Sequence, residues 1–279
     1  MQQPFIKSTT QLNQDSFQFS ILASGSSGNC TYVETAQKRI LVDAGLSGKK
    51  VQALLEQINR DIRQVDAIFV THEHKDHIQG VGILSRKYNL PIYANKQTWL
   101  AMDKLIGEVA PENRCYIEPD QMLNFGDLDI LSFNVSHDAA QPQFYAFQKG
   151  KEQFVMLTDT GYVSERLRSQ LRNASAYLIE SNHEIEMLRY GNYPWHLKQR
   201  ILGDKGHLSN EDGALAMVDL IGNRTKSIYL GHLSRENNTK ELAMSAMERT
   251  LAQRDLGVNR EFKLYMTDPD YATALRKLV

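Results

Sequence analysis

Short apolar segments recur along the chain and are separated by amphipathic stretches or polar turns. The apolar segments are rich in β-branched and aromatic residues, which is typical of buried strands. They predict strands at residues 17–22, 31–33, 39–42, 67–70, 128–135, 144–147, 154–157, 177–179, 228–230 and 261–266.

The amphipathic stretches carry apolar residues at helical spacing. They predict helices at residues 49–58, 78–88, 164–171, 209–221 and 240–253. Ser209 with Asp212 predicts a capped start for the fourth of these helices. Strands dominate the early part of the chain, whereas strands and helices alternate later, and this order fits two sheets packed face to face with helices outside. We therefore predict an α/β or α+β fold in four layers.

Length and composition indicate an ordinary globular protein. The chain has 279 residues, of which 42% are hydrophobic, and this is enough to bury a large core. Residues 1–15 are polar and predict a flexible tail, and the lack of repeats or linkers after it predicts a single domain over residues 16–279. The tail lacks the features of an export signal, and no apolar run approaches the roughly 20 residues that cross a bilayer. We predict a cytoplasmic protein with no membrane partner.

Charge and cysteine content narrow the partners and the compartment. Lys and Arg number 32 against 33 Asp and Glu, so a contact with nucleic acid would have to come from a local patch. The two cysteines, Cys30 and Cys115, do not form the close pairs of a structural zinc site. They predict two buried free thiols in a reducing compartment.

A cluster of imidazoles and carboxylates directly follows the apolar segment 67–70. It is the run His72-Glu73-His74-Lys75-Asp76-His77, which holds three of the chain's 8 histidines. Imidazole nitrogen and carboxylate oxygen are ligands that zinc, manganese and iron accept at neutral pH. The alternative is a solvated polar loop, but the crowding at a predicted strand end favours a metal site.

Other predicted strands also end in a polar group without an obvious packing role. His137, Asp159 and His232 occupy such ends. A single histidine of this kind is usually structural. An aspartate between an apolar strand and a glycine turn would be desolvated, however, and a bound cation makes that tolerable. Together with the first cluster, these residues predict further metal ligands.

The order His-x-His-x-Asp-His, a lone His, an Asp and a late His resembles the metallo-β-lactamase superfamily over about residues 16–279. The resemblance implies an αββα sandwich that holds two divalent metal ions, zinc, manganese or iron, and a hydroxide bridged by them. It also implies that Asp43 orients a ligand imidazole, although Asp43 could equally be a turn residue. The implied ligands are His72, His74 and His137 for the first metal, Asp76, His77 and His232 for the second, and Asp159 for both.

Later motifs narrow the resemblance to the YycJ/WalJ-type branch of that superfamily. These motifs are Glu180-Ser181-Asn182-His183, residues 191–195, Gly206-His207-Leu208-Ser209-Asn210 and residues 231–238. The branch implies a DNA exonuclease or phosphodiesterase that prefers the 5′ ends of single strands. A similarity to tRNA-processing members of the superfamily implies that Glu180 partners His207, and we predict that these two residues and Asp76 are catalytic, since a carboxylate keeps an imidazole protonated and aimed at the phosphoryl group.

Substrate contacts are predicted on either side of the metal ligands. The turn at residues 24–29 could receive a phosphate on its backbone N–H groups, or be an ordinary hairpin turn. Residues 189–200 interleave aromatic residues and cations, as in proteins that bind single-stranded nucleic acid, although Trp195 alone favours the core face of a helix. His183 could be structural instead, and His196 is predicted to lie on the surface. The predicted contacts are Ser26, Asn29, His183, Ser209, Ser234, Arg235 and Asn238.

Three functions follow from the sequence, and they belong to different classes. The first is a two-metal nuclease that acts on DNA. The second is a phosphodiesterase for small or cyclic nucleotides, which the balanced charge permits. The third is a non-catalytic metal-bearing regulatory module. None of these hypotheses predicts an oligomeric state.

Overall fold

The computed structural model describes residues 15–278, so all of the predicted tail except Asp15 lies outside the described residues. Its strands, in chain order, are β1 (Phe17–Ala23), β2 (Cys30–Thr35), β3 (Arg39–Val42), β4 (Ala67–Phe69), β5 (Ile92–Ala94), β6 (Arg114–Tyr116), β7 (Met122–Phe125), β8 (Leu128–Asn134), β9 (Gln143–Lys149), β10 (Glu152–Leu157), β11 (Ala176–Glu180), β12 (Ser227–Gly231), β13 (Lys263–Met266) and β14 (Arg276–Lys277).

These strands form two seven-stranded sheets. The order is β14-β1-β2-β3-β4-β5-β6 in the first sheet and β13-β12-β11-β10-β9-β8-β7 in the second. Strands β3 to β6 are parallel to one another, and so are β10 to β13. Because parallel strands end at the same edge of a sheet, the residues that follow them are brought together there.

The helices are α1 (Gly48–Gln57), α2 (Lys75–Ile78), α3 (Val81–Tyr88), α4 (Lys96–Ile106), α5 (Glu165–Leu171), α6 (Ile185–Tyr190), α7 (Trp195–Leu202), α8 (Asn210–Leu220) and α9 (Lys240–Gln253). Apolar residues of α1, α3 and α4 pack in one cluster with the first sheet, and those of α5, α8 and α9 pack in another with the second. The predicted four-layer α/β sandwich is confirmed.

Aromatic side chains join the two sheets. Phe19 of β1 stacks on Phe154 of β10 with ring centroids 4.0 Å apart. Phe69 of β4 meets Tyr145 of β9 edge to face at 5.5 Å. The Tyr145 hydroxyl also donates a 2.8 Å hydrogen bond to the Val70 carbonyl. This bond fixes the end of β4, from which the histidine cluster continues, against the second sheet.

Most of the predicted strands and helices are present, with corrections. The helix predicted at residues 78–88 is instead two helices, α2 and α3. The chain bends at Gly80, where a Cβ atom would lie 2.3 Å from the Leu46 carbonyl oxygen. The predicted cap is confirmed, since Ser209 Oγ accepts a 3.0 Å hydrogen bond from the Asp212 N–H. Strands β5, β6, β7 and β14 and helices α4 and α6 were not predicted, and α7 was anticipated only as the helix favoured for Trp195 taken alone.

Two further predictions concern cysteine and the membrane. Both cysteines are free, but only Cys30 is fully buried, so the prediction of burial was wrong for Cys115. Burial raises the pKa of the Cys30 thiol, and the nearby Asp43 charge raises it further.

Within residues 15–278, no helix combines the length and apolar character that crossing a membrane requires.

Gly45 allows the end of β3 to approach the histidine-bearing segment. A Cβ atom at residue 45 would lie 1.6 Å from the Asp76 carbonyl oxygen, which accepts a 2.8 Å hydrogen bond from the Asn29 N–H.

We expect Gly45→Ala to lower the free energy of unfolding by about 3 kcal/mol, because the backbone at Asp76 must move to make room for the methyl group. Urea denaturation measures this. Gly150→Ala is the control, since residue 150 has open space and its φ of +59° costs only about 1–2 kcal/mol. Equal losses in the two variants would contradict the account.

Candidate metal centre

The strand ends that face one another carry the predicted ligands, and three of them bend sharply. The φ angle is +59° at Asp43, after β3, +50° at Asp159, after β10, and +56° at His232, after β12. This left-handed conformation costs a residue with a side chain about 1–2 kcal/mol, and it persists where the surroundings fix it. At His232 the N–H donates a 2.8 Å hydrogen bond to Ser24 Oγ. These left-handed conformations are therefore part of the geometry that places the candidate ligands.

The predicted metal ligands all converge. Potential ligand atoms lie within 4.8 Å of one another in each of several groups, and Asp159 joins these groups. Asp159 Oδ1 is 3.3 Å from His232 Nε2 and 3.9 Å from His137 Nε2, and Oδ2 is 3.6 Å from His77 Nε2. The groups are His72, His74 and His137; Asp76, His77 and His232; His72, His77 and Asp159; and Asp159, Glu180, His207 and His232.

Each candidate histidine has one ring nitrogen anchored by the protein. The other nitrogen is thereby oriented toward the cluster, as is usual in metal sites, although at His77 this atom also lies 3.1 Å from Asn29 Nδ2. Thr71 Oγ1 donates to Asp43, so it can accept from His72. The anchored atoms and their partners are His72 Nδ1 with Thr71 Oγ1 (3.0 Å), His74 Nε2 with the Asp138 carbonyl (3.3 Å), His77 Nδ1 with Asp43 Oδ2 (2.8 Å), His137 Nδ1 with the Gly206 carbonyl (3.1 Å) and His232 Nδ1 with Glu180 Oε1 (2.9 Å).

Several inward-facing atoms of this cluster have no hydrogen-bond partner within the described part of the chain. They are the Nε2 atoms of His72, His137 and His232, together with Asp159 Oδ2, and all are buried. An unsatisfied buried polar atom costs about 1–3 kcal/mol, so native proteins rarely leave several together. Bound divalent cations would satisfy all of them. Imidazole nitrogen and carboxylate oxygen suit zinc, manganese or iron, so these residues fit the metal that the fold implies.

The electrostatics of the cluster favour bound positive charge. Burial strongly lowers the pKa of His72, and the neighbouring His77 lowers it further, so this imidazole is neutral as a ligand requires. Burial would raise the pKa of Asp159, but the imidazoles of His232 and His77 outweigh it and hold that pKa well below its usual range. Burial would lower the pKa of His232, yet Asp159, Asp76 and Glu180 raise it to about 10. The buried carboxylates thus attract either protons or metal cations.

Glu180 supports two histidines at once. Its Oε1 accepts from His207 Nδ1 at 2.7 Å and from His232 Nδ1 at 2.9 Å. Its Oε2 accepts from the backbone N–H groups of Thr160 at 3.0 Å and Leu208 at 3.2 Å. Burial would raise the pKa of Glu180, but these imidazoles lower it to about 2. The predicted contact of Glu180 with His207 is therefore present, and the bond to His232 is a feature that the sequence did not indicate.

A groove of about 150 Å³ opens beside this cluster. A larger surface cavity of about 500 Å³ lies between α5 and α8, but none of its lining residues is a candidate ligand. Among the predicted substrate contacts, Ser26 and Ser234 line the groove. Its lining residues are Ser26, Asp138, Asn182, Tyr193, Leu197, Arg200, Ile201, Gly206, His207 and Ser234.

The other predicted substrate contacts lie elsewhere. Arg235 is exposed and donates to Ser27 Oγ at 2.9 Å. Asn29 is buried, with its Nδ2 atom 3.1 Å from His77 Nε2, so it supports the ligand segment. Ser209 is occupied in capping α8, and Asn238 bonds to Asn210 and to the Ser181 carbonyl. His183 is buried, and its Nε2 atom has no partner within the described residues.

Asp138 is a residue that the sequence did not single out. Its carbonyl anchors His74, its Oδ1 atom is 3.4 Å from His137 Nε2, and its Oδ2 atom is paired with the Arg200 guanidinium. Burial would raise the pKa of Asp138, but Arg200 and His137 lower it. Its position directly after His137 was the only signal in the sequence. Asp138 therefore links the ligand cluster to the groove.

Fold and cluster together define a class: an αββα sandwich with imidazole and carboxylate ligands at the facing strand ends. Residues 38–232 match the family model described as the beta-lactamase superfamily domain, and the chain belongs to this superfamily. The metallo-beta-lactamase fold protein YhfI from Bacillus subtilis has the same fold. Its crystal structure superposes with a TM-score of 0.69 at 16% identity, covering 93% of this chain and 99% of that one.

Two curated relatives are similar over nearly their whole length. Exodeoxyribonuclease WalJ of Streptococcus pneumoniae serotype 2 is 58% identical over 269 residues, which are 96% of this chain and 100% of that protein. Exodeoxyribonuclease YycJ of Bacillus anthracis is 50% identical over 258 residues, which are 92% of this chain and 98% of that protein. The resemblance found in the motifs is confirmed by these identities.

Asp43 is the support of His77 in this geometry, so its charge should matter to metal binding. We expect Asp43→Asn to weaken zinc binding about 10- to 100-fold, because the imidazole loses a carboxylate that raises its basicity. Competition with a chromogenic chelator measures the affinity. Asp66→Asn is the matched control, since Asp66 accepts a 2.7 Å hydrogen bond from the Arg39 N–H away from the cluster. Unchanged affinity in Asp43→Asn would refute the supporting role.

Proposed function

We propose that this protein is a metal-dependent hydrolase of phosphodiester bonds that acts on DNA as an exonuclease. The observation that carries the proposal is the convergence of imidazoles and carboxylates from separate strand ends beside the Glu180–His207 pair. The names of the two curated relatives, at 58% and 50% identity, support DNA as the substrate and removal of nucleotides from an end as the reaction.

The proposed site holds two divalent ions, and zinc, manganese and iron all suit its ligands. When bound, the ions lower the pKa of water, polarise the phosphoryl group and stabilise the leaving oxygen. In this proposal Asp159 is shared between the two sets of ligands, because its Oδ1 atom lies 3.9 Å from His137 Nε2 of one set and its Oδ2 atom lies 3.6 Å from His77 Nε2 of the other. The sets are His72, His74 and His137 on one side, and Asp76, His77 and His232 on the other.

His207 is the proposed proton donor. It lines the groove, and its Nδ1 atom is held at 2.7 Å by the Glu180 carboxylate. Within residues 15–278 no group bonds to its Nε2 atom, which therefore remains for the substrate. The Glu180 carboxylate orients this imidazole, and an imidazole at the groove can stabilise phosphoryl oxygens or protonate the leaving oxygen. The side chain of Asp76 is 26% exposed, more than that of Asp159 or Glu180. Asp76 is proposed to accept the proton that the attacking water releases.

The finer specificity is a preference for the 5′ end of a single strand. The resemblance of the later motifs to the YycJ/WalJ-type branch supports it. Ser26 and Ser234 line the groove, and Arg235 donates a 2.9 Å hydrogen bond to Ser27, the neighbour of Ser26 in the chain. We propose that these hydroxyls and this guanidinium receive a terminal phosphate. A guanidinium binds phosphate oxygens through two parallel hydrogen bonds, which gives a defined orientation.

The reaction itself is tested with end-labelled DNA. We expect manganese- or zinc-loaded protein to shorten single-stranded oligonucleotides from the 5′ end, and Asp159→Asn to reduce the rate below detection because both ion positions lose a ligand. Circular dichroism establishes that the variant is folded. A chromogenic phosphodiester serves as the comparison substrate, because equal efficiency on both would favour the small-molecule phosphodiesterase instead. Full activity in Asp159→Asn would exclude the shared ligand.

His207 can be separated from metal binding. We expect His207→Ala to lower the single-turnover rate at saturating DNA about 10²- to 10⁴-fold, which is typical of a lost general acid, with metal content unchanged. His196→Ala is the matched control, because His196 is exposed and outside the cluster. Quenched-flow measurements with end-labelled DNA give the rate, and mass spectrometry gives the metal content. A rate within threefold of wild type would remove His207 from the chemistry.

A further inference from the structure

We propose that the turn between α6 and α7 is a rigid surface on which unpaired bases of the substrate stack. We call it the aromatic turn and define it by Tyr190, Tyr193 and Trp195. The inference rests on the proposed function, since it concerns how a nucleic acid strand approaches the same site. It assigns strand selection to a part of the chain outside the metal ligands.

The exposure of these rings indicates an interaction site. Tyr190 is 84% exposed and Trp195 is 66% exposed, although sequence analysis favoured a core position for Trp195. That prediction was wrong. Neither ring stacks on another aromatic ring of the described chain, and most of each side chain is open to solvent. Large aromatic rings exposed together in one short segment are typical of interaction sites.

The turn is held in place from beneath. Lys198 is only 8% exposed, and its Nζ donates 2.7 Å hydrogen bonds to the carbonyls of Arg189 and Gly191. A Cβ atom at Gly191 would lie 2.5 Å from Asn237 Oδ1, so the turn lies directly against the segment that follows β12. The Glu184 N–H also donates to the Asn237 carbonyl at 2.8 Å. A surface fixed in this way binds without the entropy cost of ordering a loop.

The aromatic turn is continuous with the groove. Tyr193, at the end of the turn, lines the groove together with His207, and Leu197 and Arg200 of α7 line it further along. A strand whose terminal phosphodiester reaches His207 therefore passes along α7. Its next unpaired nucleotides meet the turn.

The exposed groups of the aromatic turn are suited to contact bases rather than phosphates. Arg189 is paired with Glu186 at 2.9 Å, and Arg200 is paired with Asp138, so the cations of this segment are partly neutralised. The rings supply the remaining attraction, and every base has a face that stacks on an aromatic ring. Bases inside a duplex already stack on their neighbours, so the turn favours single strands. Its occupant is therefore an unpaired segment of DNA, with little preference for sequence.

The experiment measures binding separately from hydrolysis. Metal-loaded full-length protein is titrated with a fluorescent phosphorothioate oligothymidylate, which resists cleavage, and with a blunt hairpin duplex of the same backbone. We expect Tyr190→Ala with Trp195→Ala to raise the Kd for the single strand roughly 25-fold or more, since each ring lost costs about 1–3 kcal/mol, and to change the Kd for the duplex less than threefold. Tyr116→Ala is the control, because Tyr116 is 57% exposed on strand β6.

A conservative variant adds a readout that loss of folding would not mimic. Trp195→Phe keeps a ring for stacking, so we expect its Kd to stay within threefold of wild type. Quenching of tryptophan fluorescence by the single strand should disappear in this variant, because the other tryptophan, Trp99, is 2% exposed. Quenching that persists in Trp195→Phe would place the bases elsewhere and overturn the proposal.

The outcomes separate this inference from the proposed function. Wild-type affinity in the double variant, with normal DNA degradation, would overturn the stacking surface, assign the exposed rings to a protein partner and leave the exonuclease standing. Equal weakening for single strand and duplex would also overturn it. Selective binding of single strands that depends on the two rings, without degradation by the wild-type protein, would support the stacking surface and reject the exonuclease.

Discussion

The burial of the Asp159 carboxylate is the constraint on which the rest of this site depends. Asp159 is 1% exposed at the end of a central strand, and a charge so far from water must be compensated. His77, His137 and His232 surround it within 3.9 Å, each on a different part of the chain. The two sheets must therefore be held in register at this edge, which the bond from Tyr145 to the Val70 carbonyl helps to ensure.

Glu180 extends the same constraint from metal binding to chemistry. One of its oxygens holds both His232, a candidate ligand, and His207, the candidate proton donor. The position of the candidate ligand His232 and the position of the imidazole at the groove are therefore fixed by a single buried group. Asp138 makes a similar link on the other side, between His137 and Arg200. The groove and the ligand cluster are one connected structure.

Most of the fold and the ligand cluster could be predicted from sequence, because the signals are local. Strand β3 has the predicted bounds, Arg39–Val42, since its apolar run is buried by neighbours on both faces. Strands β5 and β6 were missed because three residues each carry too little pattern. Ser209 was predicted both as a helix cap and as a substrate contact, and the structure places it in the cap. The exposure of Trp195 and the bond from Glu180 to His232 arise where distant segments meet, and no local pattern reports them.

The central claim is that these side chains bind two cations on either side of Asp159. Anomalous diffraction from crystals of zinc-loaded protein, collected above and below the zinc absorption edge, tests it most directly. The account predicts two anomalous peaks per chain, one beside His72, His74 and His137 and one beside Asp76, His77 and His232, with Asp159 in contact with both. A single peak, or peaks that leave Asp159 without a metal contact, would contradict it.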